Sequence, residues 1–193
     1  ADNVWTATSA TATDFQAAAG GAWSYITTVT VSDENDLPLI DGTAGVILDS
    51  TYIAYHLWGF EIMAEDNDRK PMLQISTDTG SSWETSGYDS YGIRVYTGST
   101  GATTSTIDMG GFDATGTVGG ELLSINVFIY NPSSTNNFPN VNYQAIWSNA
   151  QNATMFQAGG GRFETVGSWD GIRFISNVGN ITGTCKLYGL TGS

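Results

Sequence analysis

The sequence is poor in cysteine and in basic residues, and each shortage excludes a class of protein. A single cysteine, Cys185, permits neither an intramolecular disulfide framework nor a zinc site built on several cysteines. The chain has 6 Lys and Arg against 19 Asp and Glu, a formal net charge of -13. Surfaces that bind nucleic acid need clustered cations, so we expect no nucleic-acid partner.

Long apolar runs and targeting features are also missing. No run approaches the roughly 18 apolar residues of a membrane-spanning helix, and the start at Ala1-Asp2-Asn3 lacks the basic and apolar regions of a secretory signal. We therefore expect that the protein does not insert into a membrane and that it is made in a cytoplasm.

What the sequence does contain is typical of one folded β-domain. Hydrophobic residues make up 40% and aromatic residues 12% of 193 residues, with 24 Gly and only 4 Pro. Runs of β-branched and aromatic residues alternate with Gly, Asn, Asp and Ser clusters, the pattern of strands joined by turns. This pattern predicts strands at 23–31, 45–49, 52–63, 71–76, 91–96, 122–130, 141–147, 162–166, 171–176 and 184–190.

Short strands without helical spacing between them predict an all-β fold, an antiparallel β-sandwich that is jelly-roll-like. The clearest strand is 123–130, where Leu123, Ile125, Val127 and Ile129 share one face. We assign residues 23–193 to a single sandwich domain. The segment 97–120 is rich in Gly and Thr and is predicted to be a long surface loop.

The first 22 residues differ from the rest. They are small, rich in Ala and Thr, and carry few large side chains that could bury surface. We interpret residues 1–22 as a short extended N-terminal arm that attaches the protein to a partner or interlocks subunits. The alternative is a loosely ordered tail.

The most specific local motif is the run from Ser76 to Trp83, which fits the pattern S-x-D-x-G-x-[ST]-W. Asp78 can accept backbone N–H groups across a turn, Gly80 can supply a positive φ, and Trp83 can pack the turn against a sheet. The motif resembles the Asp-box hairpin of sialidases and other β-proteins. A sialidase needs several such boxes, so a structural role is predicted for this one.

Two longer blocks resemble virion surface proteins of tailed bacteriophages. The first is YIAYHLWGFEIMAE at 52–65 with the hairpin that follows it, and the second is WDGIRFISNVGNITGTCKLYGL at 169–190. Thr79 departs from the family form, in which a Gly often stands there. The resemblance implies a tail fibre, head fibre or capsid decoration protein on the virion exterior, made in the host cytoplasm. It also implies that the arm at residues 1–22 attaches the protein to other virion proteins of the capsid or tail.

Features that would indicate catalysis are weak. The only histidine, His56, stands among aromatic residues, and the chain carries no G-x-S-x-G elbow, metal-binding His pair or phosphate-cradling loop. We therefore expect no enzyme. A polysaccharide-degrading enzyme is kept as a further alternative, but nineteen acids always permit carboxylate pairs, so the presence of such pairs does not favour it.

Calcium is the one cofactor that the sequence leaves open. Asp66 and Asp68 lie in an acidic turn with the oxygen ligands that calcium prefers, but the turn lacks EF-hand spacing. The competing interpretation is a turn whose side chains bond their own backbone. We expect no other metal or cofactor.

Aromatic residues suggest a route to ligand binding. Six Trp and nine Tyr in a weakly charged sandwich can form platforms on which sugars stack. We select Tyr88, Tyr91 and Trp169 as candidate glycan contacts. The prediction is thus a non-enzymatic structural protein, assembled as a homo-oligomer, specifically a trimer, with host surface glycan as a further partner. The alternative is a carbohydrate-binding adhesin module.

Overall fold

A computed structural model describes residues 23–66, 69–94, 98–104, 106–109, 122–148, 154–164 and 166–192. The proposed arm at 1–22 lies outside these residues. The elements along the chain are β1 (Trp23–Glu34), β2 (Asp36–Ile40), β3 (Ala54–Ala64), β4 (Pro71–Ser76), β5 (Tyr88–Arg94), β6 (Gly98–Thr104), β7 (Ile107–Asp108), β8 (Leu123–Tyr130), β9 (Asn140–Ser148), β10 (Thr154–Phe163), β11 (Gly171–Ser176) and β12 (Ile181–Leu190).

The strands form two antiparallel sheets. The large sheet has eight strands in the order β1-β12-β3-β8-β9-β10-β5-β6, and the small sheet has four in the order β2-β11-β4-β7. The described part of the chain contains no helix. The predicted all-β antiparallel sandwich is confirmed, whereas the jelly-roll-like connectivity stays a prediction. Within the same ranges, no helix has the length and apolarity needed to cross a membrane.

The core lies between the two sheets. Leu123, Ile125, Val127 and Ile129 on β8 are fully buried, so the alternation in the sequence marks the inner face of a half-buried strand. The small sheet contributes a matching set of buried residues from its two central strands and from β2, namely Leu37, Leu39, Leu73, Ile75, Ile172 and Phe174. The opposite face of the large sheet carries exposed and partly exposed side chains, among them the aromatic and polar residues described below.

The strand predicted at 45–49 is wrong. This segment is a turn and loop whose Val46 and Leu48 are buried, so the apolar residues that suggested a strand fill the core from a loop. One strand that the sequence missed is β2, which contains Pro38. Proline cannot donate a ladder hydrogen bond and is tolerated here because β2 is the edge of the small sheet.

The structure also differs from the strand predicted at 162–166 and from the loop predicted at 97–120. The strand predicted at 162–166 is instead β10, which begins at Thr154 and ends at Phe163. Its three consecutive glycines, Gly159 to Gly161, have no side chains and thus no period-two signal. The segment 97–120, predicted as a loop, contains β6 at the far edge of the large sheet and the short β7 of the small sheet.

Candidate functional site

The Asp-box turn is held together by the side chains of its own motif. Asp78 accepts hydrogen bonds from the backbone N–H of Ser82 (2.8 Å), from Ser82 Oγ (2.6 Å) and from Ser76 Oγ (2.8 Å). Ser76 Oγ in turn accepts the N–H of Gly80 at 2.9 Å. These bonds stabilise the carboxylate and hold the pKa of Asp78 below its usual range, with the Ser82 hydroxyl as the largest cause.

The backbone of the turn explains its residue types. Gly80 has a φ of 75°, and Thr79 beside it has a φ of 57°. A left-handed conformation favours glycine, so a glycine in place of Thr79 would fit the observed geometry. Asp170 Oδ1 accepts the N–H of Thr79 at 2.8 Å, which ties the turn to the start of β11.

Trp83 closes the turn over the outer face of the small sheet. The guanidinium carbon of Arg173 lies 4.5 Å from the centre of the Trp83 ring. Arg173 also donates to Gln74 Oε1 (3.1 and 2.6 Å) and pairs with Asp36 at 2.8 Å. The side chains around the Asp-box bond and pack against each other, and these contacts connect the turn and β4 to β11.

Two of the three candidate glycan contacts are buried. Tyr88 and Trp169 each have 0% of their surface exposed, and this excludes them as surface platforms. The Tyr88 hydroxyl accepts the N–H of Ile75 at 2.9 Å and donates to Glu84 O at 3.2 Å. The selection of Tyr88 and Trp169 is wrong because their apolar rings gain more from the core than from the surface.

Tyr91, the third candidate, is 65% exposed on β5. It borders a shallow groove of about 460 Å³ on the open face of the large sheet. The lining comes from three neighbouring strands, β5, β9 and β10, and consists of Asp89, Tyr91, Asn140, Val141, Gly160, Gly161 and Arg162. An exposed aromatic ring thus stands beside a carboxylate, an amide and a guanidinium.

Register places these groups in two rows across the sheet. In one row Asn142, Gly160 and Tyr91 are cross-strand neighbours, and in the next Asn140, Arg162 and Asp89 are. Gly160 forms the floor, because a Cβ there would lie 2.8 Å from the carbonyl oxygen of Val141. A larger residue at this position would fill the groove and strain the backbone.

At the charged end of the groove, Arg162 contacts two carboxylates and an aromatic ring. Its Nη2 lies 3.2 Å from Glu164 Oε1 and 3.4 Å from Asp89 Oδ2, and its guanidinium carbon is 5.5 Å from the centre of the Phe138 ring. All three charged side chains are partly exposed. The positive charge is thus balanced by two carboxylates on the protein itself.

A second aromatic group lies at the other end of the same face. His56 stacks on Phe128 with ring centres 4.4 Å apart and is flanked by Trp23 and Tyr188 at 5.8 Å each. Its Nε2 lies 3.1 Å from Asn126 Oδ1. The histidine is therefore part of a packed aromatic cluster, with its ring nitrogen engaged by an amide and not by a carboxylate.

Of the two predicted calcium ligands in the acidic turn, Asp66 and Asp68, only Asp66 is among the described residues. Asp66 forms an ion pair with Arg69 at 2.8 Å, while Asp68 lies outside the described residues. Within the described ranges, no three His, Cys, Asp or Glu side chains come together in a way that could hold a metal. Asp66 therefore has a protein partner for its charge.

Sequence reasoning found Tyr91 but not the residues around it. Asp89 lies two residues before Tyr91, on the same face of β5, and this spacing was a usable signal. Asn140, Gly160 and Arg162 come from strands far along the chain, and only the pairing of β5 with β10 and of β10 with β9 brings them together.

Comparison with protein-family models, with curated proteins and with solved structures finds no match.

Proposed function

We propose that the chain is a non-enzymatic structural protein on the exterior of a tailed-phage virion, as a fibre, spike or decoration, and that it contacts host surface glycans. Support for the virion assignment comes from the resemblance of the blocks at 52–65 and 169–190. Support for glycan contact comes from the groove at Tyr91 on the open sheet face.

The exposure of Tyr91 beside polar groups is the observation that carries the glycan proposal. A tyrosine ring buries the apolar C–H face of a sugar, while neighbouring carboxylate and amide groups bond its hydroxyls. Tyr91 supplies the ring at 65% exposure, and Asp89 and Asn140 supply the polar groups. The groove is shallow and open, a shape that admits a carbohydrate chain from solvent.

Glycan binding by the intact protein tests this function directly. We expect wild-type protein to bind host surface polysaccharide and Tyr91→Ala to lose at least about tenfold in affinity, because burying a large ring contributes on the order of 1.5–3 kcal/mol. Tyr25→Ala is the matched control, since Tyr25 is 58% exposed on the same face but lies on β1. Equal binding by the wild type and both variants would refute the glycan assignment.

Assembly into a homo-oligomer, with a trimer as the expected form, is the second part of the proposal. The large sheet exposes further rings near its β1 edge, including Trp23 at 39% and Trp58 at 43%. Symmetric contacts commonly cover such rings. We expect light scattering at micromolar concentration to give a trimer mass, and a monomer mass would contradict this part alone.

The enzymatic alternative has its own assay. Incubation of the protein with host polysaccharide should release no reducing ends above a buffer control. Release that survives Tyr91→Ala but disappears with a carboxylate variant such as Asp89→Asn would replace the binding proposal with a hydrolase.

A further inference from the structure

We infer that the groove at Tyr91 selects neutral sugars and disfavours glycans that carry carboxylate, sulfate or phosphate groups. The inference rests on the proposed glycan-binding function and adds the chemical class of the ligand. It follows from the charges around Arg162, from the shape of the groove floor and from the charge of the whole chain.

Among the described residues that line the groove, Arg162 is the only cation, so an anionic sugar would have to be recognised by it. Its Nη2 already lies within 3.4 Å of both Asp89 and Glu164. Two carboxylates against one guanidinium leave this end of the groove with a net negative charge. An added anion would therefore compete with two carboxylates that are covalently part of the same surface.

The wider electrostatic field acts in the same direction. A chain with a formal net charge of -13 repels anions over the distance set by salt screening, about 8–10 Å at physiological ionic strength. Neutral sugars are unaffected by this field. Discrimination against anions should therefore weaken as salt is added, while binding of neutral sugars should not change.

The groove floor explains how a neutral sugar would be held. Gly160 separates Tyr91 on β5 from Asn142 on β9, and neighbouring strands lie about 4.8 Å apart. The backbones of β5 and β9 are therefore roughly 10 Å apart, a span over which one sugar ring can lie against Tyr91. Asn140 lines the groove from β9, and Asn142 is the cross-strand neighbour of Gly160 on the same strand. Amides donate and accept hydrogen bonds to hydroxyls without a net charge.

The experiment compares matched ligands on the intact protein. The probes are neutral glucan, mannan and galactan oligosaccharides, each paired with the same backbone oxidised at C6 to the uronic acid. We expect at least one neutral member to bind and its uronic acid partner to bind about five- to tenfold more weakly at low salt. The difference should shrink at high salt.

A pair of charge variants isolates the cause. Glu164→Gln removes one of the two carboxylates on Arg162, so binding of the uronic acid probe should improve several-fold while binding of the neutral probe is unchanged. Glu34→Gln is the control, because it changes the net charge equally from an exposed position on β1. An equal effect of both variants would assign the selectivity to net charge and overturn the role of Arg162.

The remaining outcomes separate this inference from the function on which it rests. Tighter binding of the uronic acids, with loss on Tyr91→Ala, would overturn the inference and leave the proposed glycan site standing. Absence of binding to every probe and to host polysaccharide would overturn both.

Discussion

Replacing Tyr88 with phenylalanine tests the reassignment of this residue from the surface to the core. The ring is fully buried between β5 and β4, and its hydroxyl accepts the N–H of Ile75 at 2.9 Å. Phenylalanine keeps the ring and its packing but leaves the Ile75 N–H without this acceptor. Since Ile75 is itself fully buried, water cannot replace the lost oxygen without entering the core.

The magnitude follows from the two bonds of the hydroxyl. An orphaned buried donor costs about 1–3 kcal/mol. The second bond, to Glu84 O, is longer at 3.2 Å and only part-buried, so its carbonyl can turn to solvent at little cost. We expect a loss of about 2 kcal/mol in the free energy of unfolding, or roughly 4–8 °C in Tm for a domain of this size.

Urea titration followed by tryptophan fluorescence measures this loss, and Tyr25→Phe is the control. The Tyr25 hydroxyl lies 3.0 Å from Thr28 Oγ1 at an exposed site, so its removal should change the free energy of unfolding by less than about 0.5 kcal/mol. Tyr88→Phe should leave glycan binding unchanged. Equal stability of the two variants would refute the assignment of a buried, bonded hydroxyl.

Three further predictions concern stability. Burial raises the pKa values of Tyr55, Tyr88 and Cys185 above their usual ranges, so the folded state keeps protons that the unfolded state loses. Urea titrations should therefore show the free energy of unfolding falling as pH rises above about 9–10, by about 1.4 kcal/mol per pH unit for each group, and a flat alkaline profile would contradict this. Hydrogen bonds lower the pKa of Asp78 in the folded state. The contribution of Asp78 to the free energy of unfolding is therefore present above the unfolded pKa of about 3.9 and is lost as pH falls through the lower folded pKa. Asp78→Asn should make the free energy of unfolding depend less on pH in the acid range than it does in the wild type. Leu57→Ala should cost about 2–5 kcal/mol in the same titration because Leu57 is fully buried in the core, and a loss below about 1 kcal/mol would mean that the site collapses around the smaller side chain.

Period-two alternation predicted the strands that have one buried face. β8 shows this best, because the buried residues Leu123 to Ile129 alternate with the partly exposed Ser124, Asn126 and Phe128. The signal failed where side chains are absent or where apolar residues sit outside strands. The glycines of β10 hid a ten-residue strand, and Val46 and Leu48 suggested a strand where a loop fills the core.

At the candidate site, the sequence pattern also failed to predict which aromatic residues are exposed. Tyr88 and Tyr91 are three positions apart on one strand, and an odd spacing places them on opposite faces. The sequence alone does not say which of the two faces is buried. That choice depends on the small sheet, which covers the face of Tyr88 and leaves the face of Tyr91 open.

The sequence by itself determined the all-β class, the Asp-box turn and the acidic character of the chain, because each depends on neighbouring residues or on composition. Only the tertiary structure decided which aromatic residue meets solvent and which polar residues surround it. Asp89, Asn140 and Arg162 become neighbours through antiparallel pairing of three strands, two of them more than forty residues from the third. Strand pairing is a long-range choice, set by the burial of whole faces, and no local pattern encodes it.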